Sequence, residues 1–218
     1  MSITAIILSH YKEREGNLKR IVDDLLAGTV KPSKIIIIID NPDIKYEDER
    51  ATIISSDKTF LPIIRFAIGS ICDTDYCFFI DDDISVRSNT LYNFTQYADE
   101  DVVLGLEGNR LAEGNNPYTK GETFNRKDYG SWVDVDIIIR TYFVSPKICG
   151  QAIRLFSLYK DLPRKNVDDV YLCLSSQHNY IIPVNEQTDI TELGECGVGQ
   201  SYDGEHYKNR DLVCKELR

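Results

Sequence analysis

The chain opens on Ile3–Ser9, where apolar side chains run almost unbroken between polar flanks, the pattern of a strand covered on both faces. Leu18, Ile21, Val22, Leu25 and Leu26 then recur at the three-and-four spacing of one helical face. Gly28 and Pro32 punctuate the chain before Ile35-Ile36-Ile37-Ile38-Ile39-Asp40, a β-branched run that predicts a second buried strand. Strand, helix and strand in that order predict a parallel, right-handed βαβ unit.

The alternation continues. A helix is predicted after Pro62 through Ile63, Phe66, Ala67 and Ile71, followed by the strand Tyr76-Cys77-Phe78-Phe79-Ile80, which ends at Asp81-Asp82-Asp83. Ser88 is placed to cap a further helix over residues 91–97, and residues 102–106 read as a fourth strand. Residues 108–131 carry Gly, Asn, Lys and Tyr with little periodicity, which predicts a functional loop folding over a ligand. Residues 133–144 read as a strand or hairpin interrupted by Asp134, Asp136 and Arg140, and Pro146 opens a helix towards Tyr159. Another helix is predicted near Asn166, a late strand over residues 180–182, a Gly- and acid-rich stretch over 186–205, and a last helix over 206–217. The class is α/β, and the absence of repeats or a clear linker predicts one domain over residues 1–218.

Composition narrows the functions. With 218 residues, 42% of them hydrophobic, the chain can bury a sizeable core. No apolar run approaches the roughly 18 residues that span a bilayer, and no basic segment leads into a signal-like stretch at the start, so no membrane span and a cytoplasmic location are expected. Cys72, Cys77, Cys149, Cys173, Cys196 and Cys214 form no C-x-x-C pair and read as reduced, mostly packed thiols. A net charge of -10 argues against a nucleic-acid or anionic-membrane binder. Any phosphate must be met locally, by a metal or a few arginines.

In a parallel α/β sheet, ligands sit beyond the carboxyl ends of the strands. Three predicted strands end in polar residues there: Ser9-His10-Tyr11, Asp40-Asn41 and Asp81-Asp82-Asp83. Adjacent carboxylates repel one another, and a divalent cation is the simplest compensation. Alternate residues of an extended segment project to one side, so Asp81 and Asp83 share that task while Asp82 points elsewhere. Hard oxygen ligands suit Mn²⁺ or Mg²⁺ and leave coordination positions for substrate phosphates.

Phe78-Phe79-Ile80-Asp81-Asp82-Asp83, with Ile3–Ser9 and the strand ending at Asp40, resembles the nucleotide-sugar half of GT-A fold glycosyltransferases, whose D-x-D motif holds Mn²⁺ and the donor diphosphate. Asn166-Val167-Asp168-Asp169-Val170 further resembles the N-x-E-D-I element of exostosin-like retaining enzymes, although Asp168 stands where those have Glu. The resemblance implies a Rossmann-like, mixed but mostly parallel sheet flanked by helices. Residues 1–107 would bind the nucleotide-sugar and residues 108–218 the acceptor. It places Asp169 at the reacting centre with Asp168 beside it, and Arg210 on the diphosphate from the last helix. His206, four residues from Arg210 and on the same helical face, becomes a candidate metal or phosphate ligand.

The same resemblance makes Ser9, Tyr11, Arg14, Asp40, Arg65, Asp81 and Asp82 the nucleotide-side candidates: it implies Tyr11 to stack on uracil, Asp40 to accept from the uracil N–H, and the two arginines to contact the nucleotide or fix the aspartates. Trp132, Asp134 and Asp136 are candidates for sugar contacts. The chain is also similar to the capsid-glycan glycosyltransferase domains of large algal viruses, which implies a UDP-glucose or UDP-rhamnose donor, a glycan or glycoprotein acceptor, a host-cytoplasmic setting and further domains beyond this one. Three rivals stand beside the retaining enzyme. They are an inverting enzyme with Asp168 or Asp169 as general base, a nucleotidyltransferase, and a non-catalytic sugar-binding module.

Overall fold

The computed structural model describes residues 1–58, 60–126, 131–194 and 204–218. Its centre is an eight-stranded sheet of mixed orientation. The first four strands, β1 (Ile3–Ser9), β2 (Lys34–Ile39), β3 (Thr52–Ser55) and β4 (Tyr76–Asp81), form a parallel block in the order β3-β2-β1-β4. Leu8 lies opposite Asp81, and Ser9 opposite Ile39, so the carboxyl ends of three strands arrive at one edge.

Beyond β4 the direction changes. Two small sheets accompany the large one, and all of their strands come from the chain after β4. With β5 (Ile84–Val86), β6 (Val102–Gly105), β7 (Glu107–Arg110), β8 (Glu122–Phe124), β9 (Val133–Asp134), β10 (Ile137–Ile139), β11 (Thr141–Val144), β12 (His178–Ile181) and β13 (Ile190–Glu192), the large sheet runs on as β4-β11-β6-β12-β9. Strand β11 is antiparallel to both neighbours, β12 is parallel to β6, and β9 is antiparallel to β12. The small sheets are β10-β7-β8 and β13-β5. The large sheet thus draws strands from both sides of residue 107.

Side-chain alternation splits the interior into two cores. Ile3, Ala5 and Ile7 pack with Leu18, Ile21, Val22 and Leu25 of α1 (Asn17–Ala27), and α3 (Thr90–Gln96) adds Leu91 and Phe94 to that face. Ile6, Cys77 and Phe79 point the other way, against α2 (Ile64–Ser70), α4 (Pro146–Leu158), α5 (Asp168–Cys173) and α6 (His206–Leu217). Helix α2 approaches the sheet so closely that a Cβ on Gly69 would stand 2.6 Å from Phe79 Cζ and 3.1 Å from Cys149 Sγ.

Several expectations change. Residues 108–131 are not structureless, because most of β7 and all of β8 lie there; residues 127–130 fall outside the described residues. Residues 133–144 are three short strands in two sheets. The chain steps between sheets at Arg140, whose φ of 68° is a left-handed conformation that a strand pattern cannot announce. Asn89, not Ser88, occupies the cap position of α3 and makes no side-chain cap bond; Thr90 Oγ1 instead accepts from Arg87 N at 2.9 Å. The 186–205 stretch contributes β13, while residues 195–203, including Cys196, fall outside the description. The five described cysteines are free thiols, and no described helix is long and apolar enough to cross a membrane.

Candidate functional site

A cavity of about 360 Å³ opens at the carboxyl ends of β1 and β4. Tyr11, Arg14, Arg65, Asp81, Asp82, Asp83, Asp168, Asp169, His206 and Arg210, all singled out in the sequence, line it. Ser9 and Asp40 stand behind that lining. Ser9 is fully buried and donates from Oγ to Asp82 at 3.0 Å. The buried Asp40 carboxylate accepts from the backbone N–H of Phe60 and lies 3.6 Å from His10 Nδ1, so it is already engaged; burial pushes its carboxyl above the usual range.

The walls are built from alternating charges. Arg65, projecting from α2, donates to Asp81 Oδ1 at 2.7 Å and from two nitrogens to Asp168 Oδ2 at 2.9 and 2.6 Å. Burial works against its charge, but the fields of Asp168 and Asp81 outweigh it and hold the guanidinium well into its charged state. Arg14 donates to Asp82 at 2.9 Å and lies 3.3 Å from Asp83. Asp82 is thereby spent on Ser9 and Arg14, and it fixes the turn rather than opening onto the cavity with an unengaged carboxylate.

Asp83 is different. Its side chain is 11% exposed, and Oδ1 is buried without a hydrogen bond among the described residues, facing Arg140 Nη2 at 3.6 Å. Burial, then the neighbouring Asp81, push its carboxyl up to about 6.

The second acidic pair comes from α5, which begins at Asp168, two residues after Asn166 takes a φ of 63°. Asp169 accepts from Val170 N at 2.9 Å and from Arg210 Nη2 at 2.7 Å, and its burial raises its proton affinity despite that partner. Arg210, 7% exposed, lies 4.7 Å above the Tyr118 ring. Its Nε and Nη1 are buried with no hydrogen-bond acceptor among the described residues.

The remaining sugar candidates lie elsewhere. Trp132 packs edge-on against Tyr97 and Tyr180, and Asp136 accepts from Leu111 N at 2.7 Å; neither they nor Asp134 line the cavity. The structure adds Tyr118, Arg140, Tyr142 and Tyr207 to the walls. Of these, Tyr118 and Tyr207 sat in stretches that the sequence marked as functional, the long loop and the His206–Arg210 segment. Arg140 read as a polar interruption of a strand, whereas its guanidinium is gripped by Glu192 at 3.0 and 2.7 Å and lies 3.7 Å from Glu107.

No protein-family model matches the chain, and no curated protein matches it.

Proposed function

We propose that this protein is a GT-A fold glycosyltransferase that moves a hexose or deoxyhexose from a UDP-glucose or UDP-rhamnose type donor to a hydroxyl of a glycan or glycoprotein. The carrying observation is the buried Arg210, two of whose nitrogens find no acceptor among the described residues, in the same cavity as Asp81 and Asp83. A buried donor left unmade costs about 1–3 kcal/mol, and a diphosphate oxygen is the acceptor that removes the cost. The parallel β3-β2-β1-β4 block with antiparallel β11 beside the acidic strand supports the fold reading.

The donor set suits Mn²⁺ or Mg²⁺. Among the described residues, Asp83 Oδ1 is buried and makes no hydrogen bond, and Arg65 engages one oxygen of Asp81. No three His, Cys, Asp or Glu side chains gather as a ligand group among the described residues. Two carboxylates match a hard cation that completes its shell with phosphate oxygens and water. Asp83 and Asp81 would hold it; His206 lines the same cavity but does not gather with them into a three-residue ligand group among the described residues, and when bound the cation would neutralise charge on the departing diphosphate.

The chain's own residues supply the rest. Arg210 adds positive charge for the leaving group, and the Tyr118 ring supports its guanidinium. Asp169, held by Arg210 and Val170 N, would stabilise oxocarbenium character at the anomeric carbon. Asp168 is committed to Arg65, so it positions that arginine between the two acidic motifs. Retention follows if the departing phosphate takes the acceptor's proton on the same face.

The raised proton affinity of Asp169 favours a second reading, an inverting enzyme with Asp169 as general base. The anomeric configuration of the product, read by NMR, decides between them. The main test is a panel of UDP-sugars with Mn²⁺. Release of UDP is expected from at least one, and a panel with neither release nor UDP binding would overturn the proposal. Asp83→Asn should abolish metal-dependent UDP binding, whereas Asp169→Asn should spare binding and impair transfer.

A further inference from the structure

His10 lines the cavity beside Tyr11, their rings 5.0 Å apart and edge-on. Its Nδ1 lies 3.1 Å from the backbone oxygen of Asp40 and 3.6 Å from the Asp40 carboxylate. A carbonyl oxygen can only accept, so Nδ1 must carry the hydrogen of that bond. The tautomer of the neutral imidazole is thereby set by its partner: Nδ1–H is spent on Asp40, and Nε2 keeps a bare lone pair. Nε2 meets no hydrogen-bond partner among the described residues.

The neighbours make this arrangement rigid. The Asp40 side chain is buried, and it is tied down by the N–H of Phe60. Asn41 donates to the backbone oxygen of His10 at 2.8 Å, so the turn that carries the ring is bonded to the end of β2 on two sides. The imidazole is therefore an acceptor of fixed direction on the β2 side of the cavity, one strand removed from the acidic residues that end β4.

We infer that His10 is the base-reading residue of this site: its Nε2 accepts a hydrogen bond from the N–H on the Watson–Crick edge of a nucleobase, and Asp40 acts only as the residue that positions the ring. The inference rests on the nucleotide-sugar reading and gives it a chemical rule. Uracil and guanine present an N–H at that position, whereas cytosine and adenine present a bare nitrogen whose lone pair would face the lone pair of Nε2. With the uridine donor proposed above, the bond would run from uracil N3–H. The direct uracil contact expected of Asp40 passes to His10, because Asp40 is buried behind the cavity lining and His10 stands in it.

The test uses the whole chain and needs no turnover. Binding of UDP, CDP and N3-methyl-UDP is measured by calorimetry with Mn²⁺ present, on the parent and on His10→Ala and His10→Gln. The parent should bind UDP about tenfold more tightly than CDP or N3-methyl-UDP, the size of one directed hydrogen bond. His10→Ala should bring UDP down to the level of the other two while still melting in one cooperative transition, and His10→Gln, whose amide oxygen can accept, should restore part of the preference. UDP that binds without discrimination in the parent, or a preference that survives in His10→Ala, overturns the role of His10 and leaves the glycosyltransferase reading standing. Failure of the parent to bind any of the three removes both.

Discussion

Asp83 costs the folded chain stability, and the cost has a pH signature. Its carboxyl is raised from 3.8 to about 6, so the folded state holds a proton that the unfolded state has released. The associated stabilisation is complete below 3.8 and is lost as pH rises through about 6. With metal chelated, Asp83→Asn should therefore be more stable than the parent at pH 7.5, by up to about 3 kcal/mol, and the gap should close near pH 4. Urea denaturation at both pH values checks this, and equal gaps would show that burial does not strain the ionised form. Arg65 has the opposite character. Arg65→Met leaves Asp168 and Asp81 without their buried cation and should lower stability by about 3–5 kcal/mol, because an uncompensated buried charge outweighs any packing gain. Arg210→Met removes the two unmet donors as well as one ion pair, so it should cost less stability than Arg65→Met while reducing UDP affinity at least as much. Thermal melts beside UDP titrations separate the two effects.

At the scale of elements, the junction of β10 and β11 and the face of α2 make testable demands. Arg140 holds a left-handed backbone that costs a residue with a Cβ roughly 1–2 kcal/mol, a cost Gly avoids. Arg140→Gly should stay within about 1 kcal/mol of the parent in stability yet lose most transfer; if both fall together, Arg140 is only a structural brace. Gly69→Ala tests packing against propensity. Ala is favoured in a helix by about 1 kcal/mol, but its methyl would meet Phe79 and Cys149, so melting should show a net loss of about 1–3 kcal/mol.

These same elements mark what the sequence could and could not say. The run of isoleucines in β2 and the spacing of Leu18, Ile21, Val22 and Leu25 carry their period openly, and they form the strand and helix that they predict. The short strands β5, β7, β8 and β13 are three or four residues each, too short for any period, and their partners are distant in sequence. Ten candidate residues meet at one cavity because strand ends and helix starts are legible positions. The contacts of Arg140 depend on a single backbone angle, and the occupation of Asp40 depends on the N–H of Phe60, twenty residues away. Neither leaves a mark in composition or spacing.

Over the whole molecule, a net charge of -10 coexists with a cavity whose five aspartates are nearly balanced by Arg14, Arg65, Arg140 and Arg210. Most of the excess negative charge lies outside the site, so general anion attraction does not bring a phosphorylated donor in; binding should depend steeply on the local cations and the metal. Arg65 joins two carboxylates, one 16 and the other 103 residues along the chain. That span has a kinetic consequence. The parallel block can gather its strands early, but the guanidinium meets its second acid only after the loop between them has closed, a contact of the slow, non-local kind. The nascent chain would thus carry its acidic triplet long before it carries a working pocket, and a donor captured in that pocket would act as a clasp on the last step of folding.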